Sequence, residues 1–155
     1  YSLYVLLKHE NQPGRALAFT SALHGKFPNN PLFLTRHAEA LTLTGRYAEA
    51  EPLVERLQQL KGRVYPTAGS VLAGLIREKR EKNDAAATAL YQRALKAPEG
   101  ERYSQDYLGL AWLGLGRIAL RAGNRARARE CFHKALKVAE YDATLAEARR
   151  WLKEG

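Results

Sequence analysis

Apolar residues near the C-terminal end of the chain recur at intervals of three and four positions. On either side of Gly123 these residues are Trp112, Leu115, Ala119, Ala128, Phe132 and Ala135. This spacing places one apolar stripe on each of two amphipathic helices, and the glycine between them suits a tight turn. Residues 112–136 therefore predict a helical hairpin that is too small to bury its own apolar faces.

The same pattern recurs along the rest of the chain. Alanines at equivalent positions are separated by 34, 37 and 41 residues, and they are Ala16, Ala50, Ala87 and Ala128. The copies cover residues about 1–30, 31–62, 66–98 and 103–139, and a further amphipathic helix at 141–154 follows them. Hairpins of this kind bury their faces by stacking on their neighbours. We therefore predict an all-α fold in which residues 1–155 form a single domain with a capping helix at its end.

The residue order of the last copy resembles the tetratricopeptide repeat (TPR). It reads Trp112-x-x-Leu115-Gly116-x-x-Ala119, then Gly123, then Ala128-x-x-x-Phe132-x-x-Ala135. The second copy differs at His37-Ala38, where the repeat has Leu-Gly, and we interpret His37 as a core histidine with a hydrogen-bond partner. The resemblance implies a right-handed superhelical solenoid of antiparallel helix pairs. The first helix of each pair would line a concave groove that binds peptides or proteins.

Departures from the repeat predict local features. Lys82 stands where a turn glycine is expected, and Asn83 or Asp84 would cap the following helix. The longer intervals indicate insertions, one at residues 61–66, interpreted as a turn-rich loop, and one at 99–102. After the second insertion we expect a long helix over residues 104–122.

Composition agrees with a globular domain and leaves the cellular location open. The chain has 155 residues, of which 46% are hydrophobic and 26% charged. No apolar run approaches the roughly 20 residues of a membrane helix. Since the chain begins at Tyr1 and contains no Met, we expect a fragment of a longer protein, with further helix upstream.

Residue patterns typical of enzymes and metal sites are missing. His9-Glu10 lacks the second histidine of a zinc protease helix because Pro13 occupies that position. The four histidines show no metal-ligand spacing. Gly109, Gly114 and Gly116 fit helix packing, and the single cysteine, Cys131, is expected to be buried. We predict a non-enzymatic protein with no cofactor and no metal.

The resemblance assigns particular positions of each first helix to the groove. The residues expected to contact a partner are Lys8, Arg36, Lys79, Arg80, Leu113, Arg117, Leu120 and Arg121. Further groove positions are Val5, His9, Leu32, Thr35, Glu39, Thr42, Leu72 and Ile76. One TPR subclass binds chaperone tails with a clamp of Lys and Asn. The corresponding places here hold Thr35, Glu39, Leu72 and Ile76, so the clamp is not matched. Apolar and basic residues together suit a peptide with apolar anchors and acidic side chains.

Positive charge adds two other hypotheses. The net charge is +9, and residues 109–139 contain seven Lys or Arg but only one acidic residue, Glu130. This basic final repeat could bind nucleic acid or an anionic surface, although the exposed aromatics of single-strand binders are missing. The chain could also self-associate. The leading hypothesis remains a protein-protein interaction scaffold.

Overall fold

The computed structural model describes residues 12–96, 105–139 and 141–154. In these ranges the chain forms eight helices and no strand. The helices are α1 (Pro13–Lys26), α2 (Pro31–Leu43), α3 (Tyr47–Gln59), α4 (Val64–Lys79), α5 (Asp84–Leu95), α6 (Gln105–Arg121), α7 (Arg125–Val138) and α8 (Asp142–Glu154). The all-α prediction is confirmed. The first helix of the first predicted copy and the insertion at 99–102 lie outside the described residues.

Helices that follow one another in the chain pack together, from α1 on α2 through α7 on α8. A second set of contacts joins α2 to α4, α4 to α6, and α6 to α8. The even-numbered helices therefore form a continuous row. Side chains from three of these helices, α2, α4 and α6, line one cavity.

The alanines at equivalent positions all lie in the core. Ala16 is 4% exposed, and Ala50, Ala87 and Ala128 are each 0% exposed. Small side chains at these positions let neighbouring helices approach closely, as the repeat spacing predicts. Cys131 is also fully buried, and burial raises the pKa of its thiol. The prediction of a buried cysteine is thus confirmed.

Tyr91 of α5 fills the space between two glycines on neighbouring helices. A Cβ atom added at Gly74 of α4 would lie 2.6 Å from Tyr91 Cε1, and one added at Gly114 of α6 would overlap the same ring. Gly116 makes the same kind of approach to the ring of Phe132. Glycine at these positions is therefore required by packing, as predicted for positions 114 and 116.

The turn between α4 and α5 forms without glycine. Lys82 adopts a left-handed backbone with φ of 55°, close to the φ of 80° at Gly123 in the equivalent turn. Asn83 is the N-cap of α5, and its side-chain oxygen accepts a hydrogen bond of 3.0 Å from the amide of Ala86. The predicted capping by Asn83 is confirmed.

The structure gives the bounds of the predicted loop at 61–66 and of the predicted long helix at 104–122. The loop predicted at 61–66 ends earlier, because α4 begins at Val64 and includes Pro66 in its first turn. A proline there needs no hydrogen-bonded N–H, so it does not break the helix. The long helix predicted over 104–122 corresponds to α6 (Gln105–Arg121).

The residues predicted to pack in α8 and the predicted core histidine His37 both contact neighbouring helices. In α8, Ala148 is buried and Trp151 stacks on Phe132 with ring centroids 6.0 Å apart. His37 is half-buried, and its Nδ1 atom lies 3.1 Å from Thr20 Oγ1. His37 is thus a packed histidine with a partner, as interpreted from the sequence.

Candidate functional site

A cavity of about 180 Å³ lies where α2, α4 and α6 meet. Its walls combine aliphatic, aromatic, hydroxyl and cationic side chains, from Leu32, Thr35, Arg36, Val64, Tyr65, Ala68 and Tyr107. We call this the inter-helix cavity. It brings together three residues assigned to the groove from the sequence, Leu32, Thr35 and Arg36. The volume and the mixed lining suit one apolar side chain of a partner.

Arg36 forms part of the cavity wall and is held by its own chain. Its side chain is 7% exposed and lies 3.6 Å from the fully buried carboxylate of Glu39. Its Nη1 atom donates a hydrogen bond of 3.1 Å to the hydroxyl of Tyr107. Because a buried carboxylate balances its charge, Arg36 shapes the cavity more than it attracts an anion.

Lys79 lies further along α4 than the inter-helix cavity, beyond the buried residues Leu72 and Ile76. At 3.6 residues per turn, Lys79 points within about 20° of the direction of Ala68 and lies about 16 Å further along the helix. An extended peptide would cover this distance with roughly five residues. Lys79 is exposed. Its neighbours still shield part of the side chain from water, and this partial burial, followed by the positive charge of Arg117, lowers the pKa of Lys79.

A buried ionic network, centred on Glu78, lies beside Lys79. Glu78 is 4% exposed and accepts a hydrogen bond of 2.8 Å from the Tyr91 hydroxyl. It also accepts two bonds of 2.9 Å from Arg117 and one of 2.8 Å from Arg121. Arg117 extends the network to Glu147 of α8 at 2.5 Å. We call this set of five side chains the Glu78 network, and it links α4, α5, α6 and α8.

Charge interactions in the Glu78 network outweigh the cost of burial. Burial alone would raise the pKa of Glu78, but the hydrogen bonds and charge of Arg117, then the bonds from Arg121 and Tyr91, lower this pKa to about 2. Burial also acts to lower the pKa of Arg117, and the bonds to Glu78 with the charge of Glu147 raise it overall. Burial and the Glu78 carboxylate raise the pKa of Tyr91. At neutral pH the network contains paired charges and a protonated tyrosine.

The two arginines predicted to contact a partner are therefore bound within the chain. The side chain of Arg117 is 11% exposed and pairs with Glu78 and Glu147. The side chain of Arg121 is 47% exposed, but it pairs with Glu78 and, at 3.0 Å, with Asp84. A partner could reach Arg121 at its open edge, whereas Arg117 acts as a structural cation.

Other predicted groove residues are removed from the surface by packing. Leu113 is 1% exposed in the core, and Leu120 is half-buried against the same cluster. The same holds for further groove positions that are almost fully buried, namely Glu39, Thr42, Leu72 and Ile76. The helices α4 and α6 are surrounded by neighbours on several sides, so an apolar position on them belongs to the core.

The remaining predicted residues are separated. Arg80 turns toward α3, where its Nη1 atom lies 3.0 Å from Glu51. Lys8, Val5 and His9 lie outside the described residues. Among the cations predicted for the groove and described by the structure, Lys79 is exposed and projects from α4 in nearly the same direction as Ala68 of the inter-helix cavity.

Four residues of the inter-helix cavity are not predicted from the sequence. Val64 and Tyr65 fall in the predicted loop at 61–66, and Ala68 and Tyr107 fall outside the predicted groove positions. The helical position of Tyr65 could be predicted from its neighbour, because Pro66 favours a first helical turn as well as a loop. Nothing local marked Glu78, since its partners Arg117 and Arg121 are 39 and 43 residues away.

Cations of the basic final repeat are partly neutralised on α7. Glu130 pairs with Arg127 at 3.2 Å and with Lys134 at 3.1 Å. These two bonds, that of Lys134 first, lower the pKa of Glu130. The Lys134 ammonium lies 4.5 Å from the ring centre of Trp112. The cations that stay exposed on α7, Arg125, Arg129 and Lys137, leave a smaller basic surface than the sequence indicated.

Comparisons of the chain with protein-family models, with curated proteins and with solved structures found no match. Within the described ranges, no three His, Cys, Asp or Glu side chains are grouped so that they could hold a metal ion. The helices of those ranges also lack the length and apolar character that a bilayer span requires.

Proposed function

We propose that this chain is a non-enzymatic, TPR-type scaffold domain that binds a peptide or protein segment along the row of even-numbered helices. The segment would place an apolar side chain in the inter-helix cavity and an acidic side chain near Lys79. In this proposal the even-numbered helices line the concave side of a right-handed superhelix.

The observation that carries the proposal is the inter-helix cavity itself. It lies between three helices of one row, and its lining mixes Leu32, Val64 and Tyr65 with polar groups. Interfaces gain most of their binding energy from a few apolar anchors in such pockets. The polar groups at the cavity edge would fix the orientation of the anchored segment.

Charge supports an acidic segment. Lys79 is exposed, lies about 16 Å from the cavity along α4 and projects from the same face of the helix. Nearby, Arg121 keeps about half of its side chain in solvent. A carboxylate of the partner would form a charge-assisted hydrogen bond with Lys79, of about 1.5–3 kcal/mol.

The proposal can be tested with peptides selected on the purified chain from a random displayed library. We expect the selected peptides to combine an apolar residue with an acidic residue roughly five positions away. The variants K79E and Y65A should each weaken binding at least tenfold, measured by fluorescence anisotropy of the labelled peptide.

The matched control is K137E, which reverses an exposed charge on α7. It should leave the affinity unchanged, and circular dichroism should show that all variants remain folded. Equal loss of binding in K79E and K137E would indicate an attraction to net charge alone. Selected peptides that bind K79E and Y65A as tightly as the parent chain would exclude this surface.

A further inference from the structure

A second cavity, of about 350 Å³, lies where the loop between α3 and α4 approaches the end of α5. Its lining consists of Gly62, Arg63, Pro66, Thr67, Ser70, Arg93, Ala94 and Lys96. We call it the basic cavity. It shares no lining residue with the inter-helix cavity, and neither the peptide hypothesis nor the basic final repeat involves it.

All ionisable side chains that line the basic cavity are cationic. Arg63, Arg93 and Lys96 are exposed, and none of them forms an ion pair with a carboxylate of the described residues. By contrast, Arg77 of α4 pairs with both Glu51 and Glu81. Three positive charges around one concavity without a carboxylate create a local potential that attracts anions.

Two hydroxyl groups open into the same cavity. Ser70 is 4% exposed and Thr67 is 6% exposed, yet neither hydroxyl bonds to another described residue. Hydroxyls in helices commonly bond to a preceding carbonyl, as Thr42 does to Ala38 at 2.8 Å. The oxygens of Thr67 and Ser70 remain in contact with solvent at the cavity wall. Both hydroxyls are therefore free to donate to an acceptor bound in the cavity.

The first turn of α4 adds a third element. The helix begins at Val64, and its N-cap residue Arg63 makes no side-chain capping bond. The free amides of an uncapped first turn carry partial positive charge and favour an anion. Pro66 has no amide hydrogen, so the free amides of this first turn belong to Val64 and Tyr65.

We propose that the basic cavity binds a phosphate group carried by a monoester, such as phosphoserine. Guanidinium groups bind phosphate oxygens in pairs of parallel hydrogen bonds, and the two hydroxyls supply further donors. Small-ligand sites begin near 300 Å³, so the cavity accommodates the phosphate together with the group that carries it. The cations surround one cavity and are not spaced along a track, which favours a single phosphate over a nucleic-acid backbone.

The test uses the whole chain, with phosphoserine, serine and inorganic phosphate as probes at constant ionic strength set with sodium chloride. Binding is followed by ¹⁵N-labelled amide shifts, with those of residues 62–70 and 93–96 as the readout. We expect phosphoserine to bind more tightly than inorganic phosphate, and serine to cause no shift. R93Q and R63Q should each weaken phosphoserine binding at least tenfold.

S70A separates binding from folding. It removes a hydroxyl that forms no hydrogen bond within the described residues, so the urea midpoint should not fall, while phosphoserine binding should weaken several-fold. The matched control R125Q/R129Q removes two exposed charges from α7 and should bind like the parent chain.

Three results would overturn the proposal. One is an equal response to phosphoserine and to chloride. Another is equal weakening by R125Q/R129Q and by R93Q. The third is tight binding of a DNA or RNA oligonucleotide, lost in R93Q, without any response to phosphoserine. That result would assign the cavity to a nucleic-acid backbone.

Discussion

Replacing Glu78 with glutamine removes one buried negative charge while keeping almost the same shape. The amide oxygen of glutamine can still accept a bond from Tyr91, but Arg117 loses a charged partner in a site where it is 11% exposed. Removing one partner of a buried ion pair is destabilising by about 3–5 kcal/mol, and Glu147, which still pairs with Arg117, places E78Q near the lower end of this range. We therefore expect E78Q to fold and to be clearly less stable.

The lowered pKa of Glu78 indicates a similar loss of unfolding free energy in E78Q. This pKa falls from an ordinary 4.5 to about 2 in the folded chain, which corresponds to about 3 kcal/mol at neutral pH. Because the folded pKa is the lower one, this contribution is complete above pH 4.5 and disappears as the pH falls toward 2. In a chain of this length, about 3 kcal/mol lowers Tm by roughly 6–12 °C.

Urea titrations at pH 7 and pH 3, followed by circular dichroism, measure both effects. The parent chain should lose more stability than E78Q between these two pH values, because E78Q lacks the titrating group. The exposed carboxylate of Glu130 provides the control, and E130Q should leave the urea midpoint unchanged. A loss below about 1 kcal/mol in E78Q, or equal pH dependence in both chains, would refute the role assigned to the network.

Two further predictions concern glycine positions. G114A should destabilise the chain by about 1–2 kcal/mol, because the added methyl overlaps Tyr91. The matched change is G25A in α1, where an added Cβ atom would have no other atom within 4 Å. Thermal melts should show that G25A is neutral or stabilising. Similar losses of stability at both positions would contradict the packing argument. K82G should raise the free energy of unfolding by about 0.5 kcal/mol, because it relieves a left-handed lysine but increases the freedom of the unfolded chain. Urea titration measures this change, and a lower midpoint would count against strain at Lys82.

Helices and core could be predicted because both depend on local spacing. The alanines at equivalent positions and the large residues between them follow the helical period, and they are buried as expected. Capping by Asn83 could likewise be predicted from the sequence, since an N-cap bond joins residues three positions apart. Features that depend on neighbours along the chain were therefore accessible from the sequence.

The candidate site was less accessible because it depends on which sides of each helix are covered. The resemblance to the TPR placed Leu72 and Leu113 in the groove, but the neighbours of α4 and α6 cover both residues, which lie in the core. Arg117 and Arg121 are predicted to contact a partner, and in the structure both pair with Glu78, which lies 39 and 43 residues earlier in the chain. Contacts over such distances leave no periodic trace in one sequence.

The Glu78 network has a consequence for how the chain opens. In stacked hairpins, stability comes mainly from adjacent units, so an end can fray without disturbing the middle. Here Arg117 joins the terminal helix α8, through Glu147, to Glu78 and Tyr91 in the preceding hairpin. Detaching α8 would remove one of the two carboxylates that balance Arg117. The segment from α4 to α8 should therefore exchange its amide hydrogens as one cooperative unit, with α1 opening independently of it.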